Sequence, residues 1–183
     1  MRIRTRVDDD LELRAEDPEA LEEAIEQTRT DVRQARAAWR ENPGETELAR
    51  LGRAQHQLAK YLLLAGEGRD ARRAADRAGD VWEELERRPA AFLAGLRRAD
   101  GLRLAGQTQR ALEAFDELVD RAESEPQGTY LDFALEKRAR CLVGRGAHDR
   151  ARADLERCRS VRRERDRDRL VERTERMLEL LGT

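Results

Sequence analysis

The sequence predicts an all-α solenoid of antiparallel helix pairs, preceded by a short N-terminal β-hairpin. Three observations carry this. Four small or apolar columns recur at a spacing of 40 residues: Ala59, Ala99 and Ala139; Leu62, Leu102 and Leu142; Gly66, Gly106 and Gly146; Ala71, Ala111 and Ala151. A fixed period of roughly 20–50 residues marks stacked supersecondary units. The 183 residues are 42% charged, yet the 39% that are hydrophobic fall periodically and the net charge is only −2, which argues against wholesale disorder. High charge suits a solenoid, whose thin layers expose much surface for little core. Finally, of only four prolines, Pro43, Pro89 and Pro126 fall between the apolar-periodic segments.

Residues 1–15 form an N-terminal extension with a different period. Ile3, Thr5 and Val7 alternate with Arg2, Arg4 and Arg6, and Leu11 and Leu13 alternate again after Asp8-Asp9-Asp10. With the three aspartates as the loop, Val7 opposes Leu11, Thr5 opposes Leu13, and Arg6 opposes Glu12. That register is self-consistent and favours a hairpin. A frayed terminus is the alternative, because a lone two-stranded hairpin is marginal in water.

Residues 16–42 read as one helix. Asp17 supplies the N-cap and Pro18 the first helical position. Leu21, Ile25, Thr28, Val32, Ala35 and Trp39 form a heptad stripe, which either packs on its own chain or makes a dimer seam. Residues 45–160 then hold three helix pairs: about 45–65 with 68–87, 90–105 with 108–124, and 128–144 with 148–160. Pro89 and Ser124-Glu125-Pro126-Gln127-Gly128 separate the pairs. Within each pair the turn falls on Gly66, Gly106 or Gly146, where a left-handed residue is wanted. Residues 163–183 supply a capping helix, with Leu170, Val171, Thr174, Met177, Leu178 and Leu181 on one face.

The repeated columns resemble the tetratricopeptide repeat family over residues 45–160. The matching positions are Ala59/Leu62/Gly66/Ala71 and their equivalents 40 and 80 residues on. Phe115 matches the aromatic position of the second helix, and Ala78 and Cys158 match its small position. The period of 40 exceeds the family's usual 34, and Gln55, Gly95 and Leu135 match the early bulky column poorly. Other α-solenoids with 40-residue repeats remain the alternative. The resemblance implies a right-handed solenoid whose first helices line a concave groove for a peptide or a partner's helix.

No pattern in the chain points to catalysis. It has no G-x-x-x-x-G-K-[ST] and no H-E-x-x-H. Its only histidines, His56 and His148, have no ligand at metal spacing, and Cys141 and Cys158 read as small core residues without a base nearby. The expectation is a protein with no enzymatic activity, no cofactor and no metal. Residues 157–173 carry eight arginines against four acids, but the signs alternate as on a solvated helix and no aromatic residue interleaves. Nucleic acid is therefore not the expected partner. No apolar run approaches the roughly 20 residues of a membrane span, and no signal peptide is apparent. Abundant arginine with only two lysines reads as the mark of a GC-rich bacterial genome, and the expected setting is cytoplasmic.

The function expected from the resemblance is a protein–protein interaction scaffold binding another protein, through an acidic or amphipathic segment, in the groove. Transferring the groove columns assigns partner contact to Lys60, Leu93, Arg97, Asp100, Arg103, Phe133, Lys137 and Arg140. Some apolar members could instead be core. The alternative function is a self-assembling structural protein, a homodimer through the hairpin, the heptad helix or the terminal helix.

Overall fold

A computed structural model of the chain describes residues 3–8, 11–124 and 130–182. The described residues form two short strands, β1 (Thr5–Val7) and β2 (Leu13–Ala15), and eight helices. The helices are α1 (Pro18–Glu41), α2 (Glu45–Leu64), α3 (Gly68–Glu84), α4 (Arg88–Leu104), α5 (Thr108–Ser124), α6 (Leu131–Val143), α7 (His148–Arg163) and α8 (Asp168–Leu180). The fold is all-α apart from the hairpin. The chain makes two compact units: residues 1–5 with 15–106, and residues 6–14 with 107–183. Within the first, α1 to α4 pack in chain order; within the second, α5 to α8 do the same.

The helix ends follow one local rule. Gly66, Gly106 and Gly146 have φ of +78°, +78° and +71°, the left-handed conformation expected of them. Glu86 and Asp166 adopt the same conformation, each with φ +53°, in the turns after α3 and α7. The next residue then donates back across the helix end: Glu67 N to Leu62 O at 2.9 Å, Arg87 N to Trp82 O at 2.8 Å, Ala147 N to Leu142 O at 3.0 Å, and Arg167 N to Arg162 O at 3.0 Å. This is the Schellman closure, which satisfies carbonyls a helix end leaves without partners. The described left-handed residues between helices stand at 66, 86, 106, 146 and 166, spaced by 20 or 40 residues. The 40-residue period counts pairs, because only alternate turns use glycine. The expected separator at 125–128 lies outside the described residues.

These turns shift several expected boundaries. Pro89 does not separate helices but sits in the first turn of α4, where its missing N–H costs nothing. The left-handed Asp166 delays the last helix to Asp168 and lets α7 run on to Arg163.

The repeat columns are core. Ala59, Ala99, Ala139, Ala71, Ala111 and Ala151 are all fully buried, and Leu62, Leu102 and Leu142 are buried too. In the first unit α3 and α4 meet backbone to backbone. A Cβ on Gly101 would lie 2.9 Å from Arg72 N and Gly68 O. Glycine is therefore a packing requirement there. The α1 stripe is used within its own chain: Leu21, Ala24 and Ile25 join the α2–α3 core, and Val32 and Ala35 pack with Leu51. Asp17 caps α1 by accepting from Ala20 N at 3.0 Å.

The hairpin forms, but its register differs from the expected one by two residues. Asp8 N donates to Glu12 O, and Glu16 N donates to Arg4 O, which places Val7 opposite Leu13 and Thr5 opposite Ala15. The turn decides this. Leu11 N donates to Asp8 O, Glu12 N donates to Asp8 Oδ1, and Leu11 itself turns left-handed with φ +59°. A two-residue shift keeps every side chain on its own face. Leu11 is buried and Val7 and Leu13 are half-buried, but Thr5 is exposed rather than covered. Residues 9 and 10 of the expected loop lie outside the described set.

Candidate partner-binding surface

In the first unit the expected contact residues come from α2 and α4. His56 and Lys60 are one helical turn apart on α2, and Leu93, Arg97, Asp100 and Arg103 follow one another along α4. Residues three and four apart share a helix face. Lys60 is exposed, with its ammonium 5.7 Å from the Tyr61 ring centroid. Leu93 and Arg97 are half-buried. Asp100, expected at the surface, is buried and engaged by Arg103, whose Nε donates to Oδ1 at 2.9 Å. Leu96, on the same helix, is core.

Arg97 differs in its partners from Arg103, Arg138, Arg140 and Arg162. Its guanidinium donates to the Leu93 carbonyl at 3.1 Å and makes no ion pair among the described residues. Burial lowers its pKa to about 10, against an opposing effect of Asp100. Beside it, His56 Nδ1 is buried with no hydrogen-bond partner. Burial first, then the charges of Arg97 and Lys60, push the His56 pKa down to about 3.

In the second unit Phe133, Lys137 and Arg140 lie on α6, and the fold uses two of them internally. Arg140, expected to face a partner, is buried and ion-paired with Glu12 of the hairpin segment. Phe133 is half-buried beneath two guanidinium groups, with Arg162 and Arg167 at 5.7 and 5.6 Å from its ring centroid. Such cation–π stacking fixes planar arginines against a ring. Lys137 is half-buried.

The reason is an ionic core at the α6–α7–α8 contact. Arg162 is fully buried; its Nε donates to Asp132 Oδ2 at 3.1 Å and its other nitrogens reach Thr174 Oγ1 at 2.6 Å and Glu136 Oε2 at 2.7 Å. Arg167 bonds both Asp132 oxygens, at 2.9 and 3.0 Å, and Arg173 donates to Glu136 at 2.5 Å. Burial alone would raise the Glu136 pKa, but Arg173, Arg162 and Arg140 outweigh it and hold it at about 2. Cys158 closes the cluster, donating to the Asp132 carbonyl at 3.1 Å, and its burial pushes the thiol up to about 12. Asp132 and Glu136 lie four apart on a helix face otherwise lined by Ala and Leu, as do Cys158 and Arg162. That spacing was the available signal. The reading of 157–173 as a solvated surface is corrected for Arg162, Arg165 and Arg167, which turn inward to Asp132. Nearby, Arg138 holds Asp154 through two bonds at 2.8 and 2.7 Å and Asp116 through one at 2.9 Å, tying α5, α6 and α7 together.

Among the described residues no group of three or more His, Cys, Asp or Glu side chains could hold a metal ion. Cys141 and Cys158 are buried free thiols. Among the same residues no helix is long and apolar enough to cross a membrane.

No family model and no curated protein matches the chain. Among solved structures it is similar to a de novo designed helical repeat protein, DHR81. The two are 22% identical, the match covers 89% of this chain and 92% of that one, and the TM-score is 0.40.

Proposed function

We propose that this protein is a non-enzymatic interaction module of tetratricopeptide-like character, which holds an acidic or amphipathic partner segment on the α2–α4 surface of its first unit. One observation carries the reading. Arg97 is half-buried, donates to the Leu93 carbonyl and makes no ion pair among the described residues, whereas Arg103, Arg138, Arg140 and Arg162 are paired. A partly desolvated cation with no carboxylate bonded to it is unfavourable, and a partner's carboxylate would supply that bond. Leu93 beside it offers apolar contact. A peptide of alternating Glu and Leu should bind the full chain and weaken with added salt without being lost. Charge-assisted bonds are worth about 1.5–3 kcal/mol. Arg97→Glu should therefore weaken binding about 10- to 100-fold, with the helical circular dichroism signal retained. Equal binding by wild type and variant, read by fluorescence anisotropy, would remove the surface from consideration.

One feature favours a second reading, self-association through α8. Only Thr174 and Met177 of its apolar face are buried, leaving Leu170, Val171, Leu178 and Leu181 half-exposed. Light scattering that shows a monomer at all concentrations removes this reading.

A further inference from the structure

We infer that the second unit binds, at Arg140 of α6, an extended segment that carries a carboxylate beside leucine. Residues 11–13 of this chain are the resident occupant of that site, displaced when a partner's segment of the same chemistry binds. This goes beyond the α2–α4 reading and does not depend on Arg97.

The helical repeat does not require the contact that the N-terminal segment makes. Residues 6–14 belong to the second unit, although α1 to α4 lie between them and its helices in sequence. Two strands of three residues are marginal on their own, so the hairpin is held by what it docks against. Its docking residues are adjacent. Leu11 is 1% exposed, and Glu12 accepts from Arg140 Nη2. The Arg140 and Glu12 side chains are 4% and 16% exposed, so the pair is largely withdrawn from water. Leu13, the next residue, is half-buried. The segment thus docks as a peptide ligand does, with an apolar anchor and a charge-assisted bond next to it.

The α6 side of the contact selects for negative charge. Asp132 and Glu136 are the carboxylates of α6, and Arg162, Arg165, Arg167 and Arg173 already pair with them. Arg140, one helical turn beyond Glu136, receives a carboxylate from the hairpin segment. With Glu12 withdrawn, Arg140 and those four arginines would face two carboxylates. Such a surplus of inward-drawn positive charge favours an incoming carboxylate and rejects a cation. The resident segment is also releasable. Glu16 and Asp17, which join the hairpin to α1, are exposed, so the segment can leave without unfolding a helix.

A ligand on its own chain competes at an effective concentration of about 1 mM, so a free peptide with an intrinsic Kd of about 0.1 mM binds about tenfold more weakly while the resident segment is docked. The probe is a peptide of residues 6–15, added to the full chain carrying Arg97→Glu so that the α2–α4 surface does not contribute. Glu12→Lys in the chain sets a cation against Arg140 and frees the site. It should raise peptide affinity about tenfold by fluorescence anisotropy, with the helical circular dichroism signal retained. The same peptide with lysine in place of its glutamate should not bind. Hydrogen exchange by NMR on the unaltered chain gives a second measure that does not depend on a variant folding. Excess peptide should speed exchange at Asp8 N and Glu16 N, which bond Glu12 O and Arg4 O within the hairpin. Equal peptide affinity with and without Glu12→Lys, or saturating peptide that leaves both amides protected, overturns the displacement. Either result leaves Arg97-dependent binding, read separately, as it stands.

Discussion

Removing the Arg162 guanidinium should unfold the second unit at much lower denaturant than wild type, and the structure sets the size of the effect. Arg162→Met keeps the aliphatic bulk and deletes the donors to Asp132, Glu136 and Thr174. Both carboxylates stay buried with fewer counter-charges, Asp132 with Arg165 and Arg167 and Glu136 with Arg173. Breaking a buried pair by removing one partner costs about 3–5 kcal/mol. With a urea m-value of about 2 kcal/mol/M the midpoint should fall by about 2 M. Both tryptophans, Trp39 and Trp82, lie in the first unit, so their fluorescence reports that unit alone and circular dichroism is needed for the second. The same core predicts an acid limb. Glu136 is held at about 2, below its ordinary 4.5, so its contribution is fully present above about pH 4.5 and is lost as pH falls through about 2. The difference corresponds to about 3 kcal/mol. Glu136→Gln should flatten the stability profile between these values. An Arg162→Met midpoint within about 0.5 kcal/mol of wild type, the range of a neutral surface site, would refute an ionic core that holds the unit together.

Gly106→Ala should cost about 1 kcal/mol in thermal or urea melts, because φ is +78° there, while Glu86→Gly at φ +53° should stabilise by a similar amount. Leu102→Ala, at a position 7% exposed between packed helices, should cost about 2–5 kcal/mol, and a loss under about 0.5 kcal/mol would contradict its place in the core.

Much of the fold was legible because its signals are local. Gly66, Gly106 and Gly146 mark turns through the one conformation other residues resist. Glu86 and Asp166 adopt that conformation too, but nothing in a glutamate or an aspartate announces it, so two of the five described left-handed turns between helices were hidden. Asp17-Pro18 announced α1 because capping needs only neighbours in sequence. The hairpin's face alternation was readable from Ile3 to Leu13, but its register was not. That depended on Leu11 turning left-handed and on Asp8 accepting from Glu12, choices made within the turn.

The candidate surface was less legible than the fold. Lys60 and Arg140 look alike in sequence, cations at one repeat position in two helices, with Asp100 at the same position between them. Glu12 lies 128 residues from Arg140, and only folding brings the two together. Arg103 bonds Asp100 while Arg97 bonds the Leu93 carbonyl, choices of side-chain reach that no period encodes. Helix, turn and core column depend on short-range backbone sterics and on burial averaged over a periodic stripe, and these are written along the chain. Whether a charge faces solvent or a counter-charge depends on which distant group arrives within about 4 Å, where Coulomb energy and desolvation nearly balance. That balance was settled by tertiary packing, which buried Arg140 and Arg162 among carboxylates.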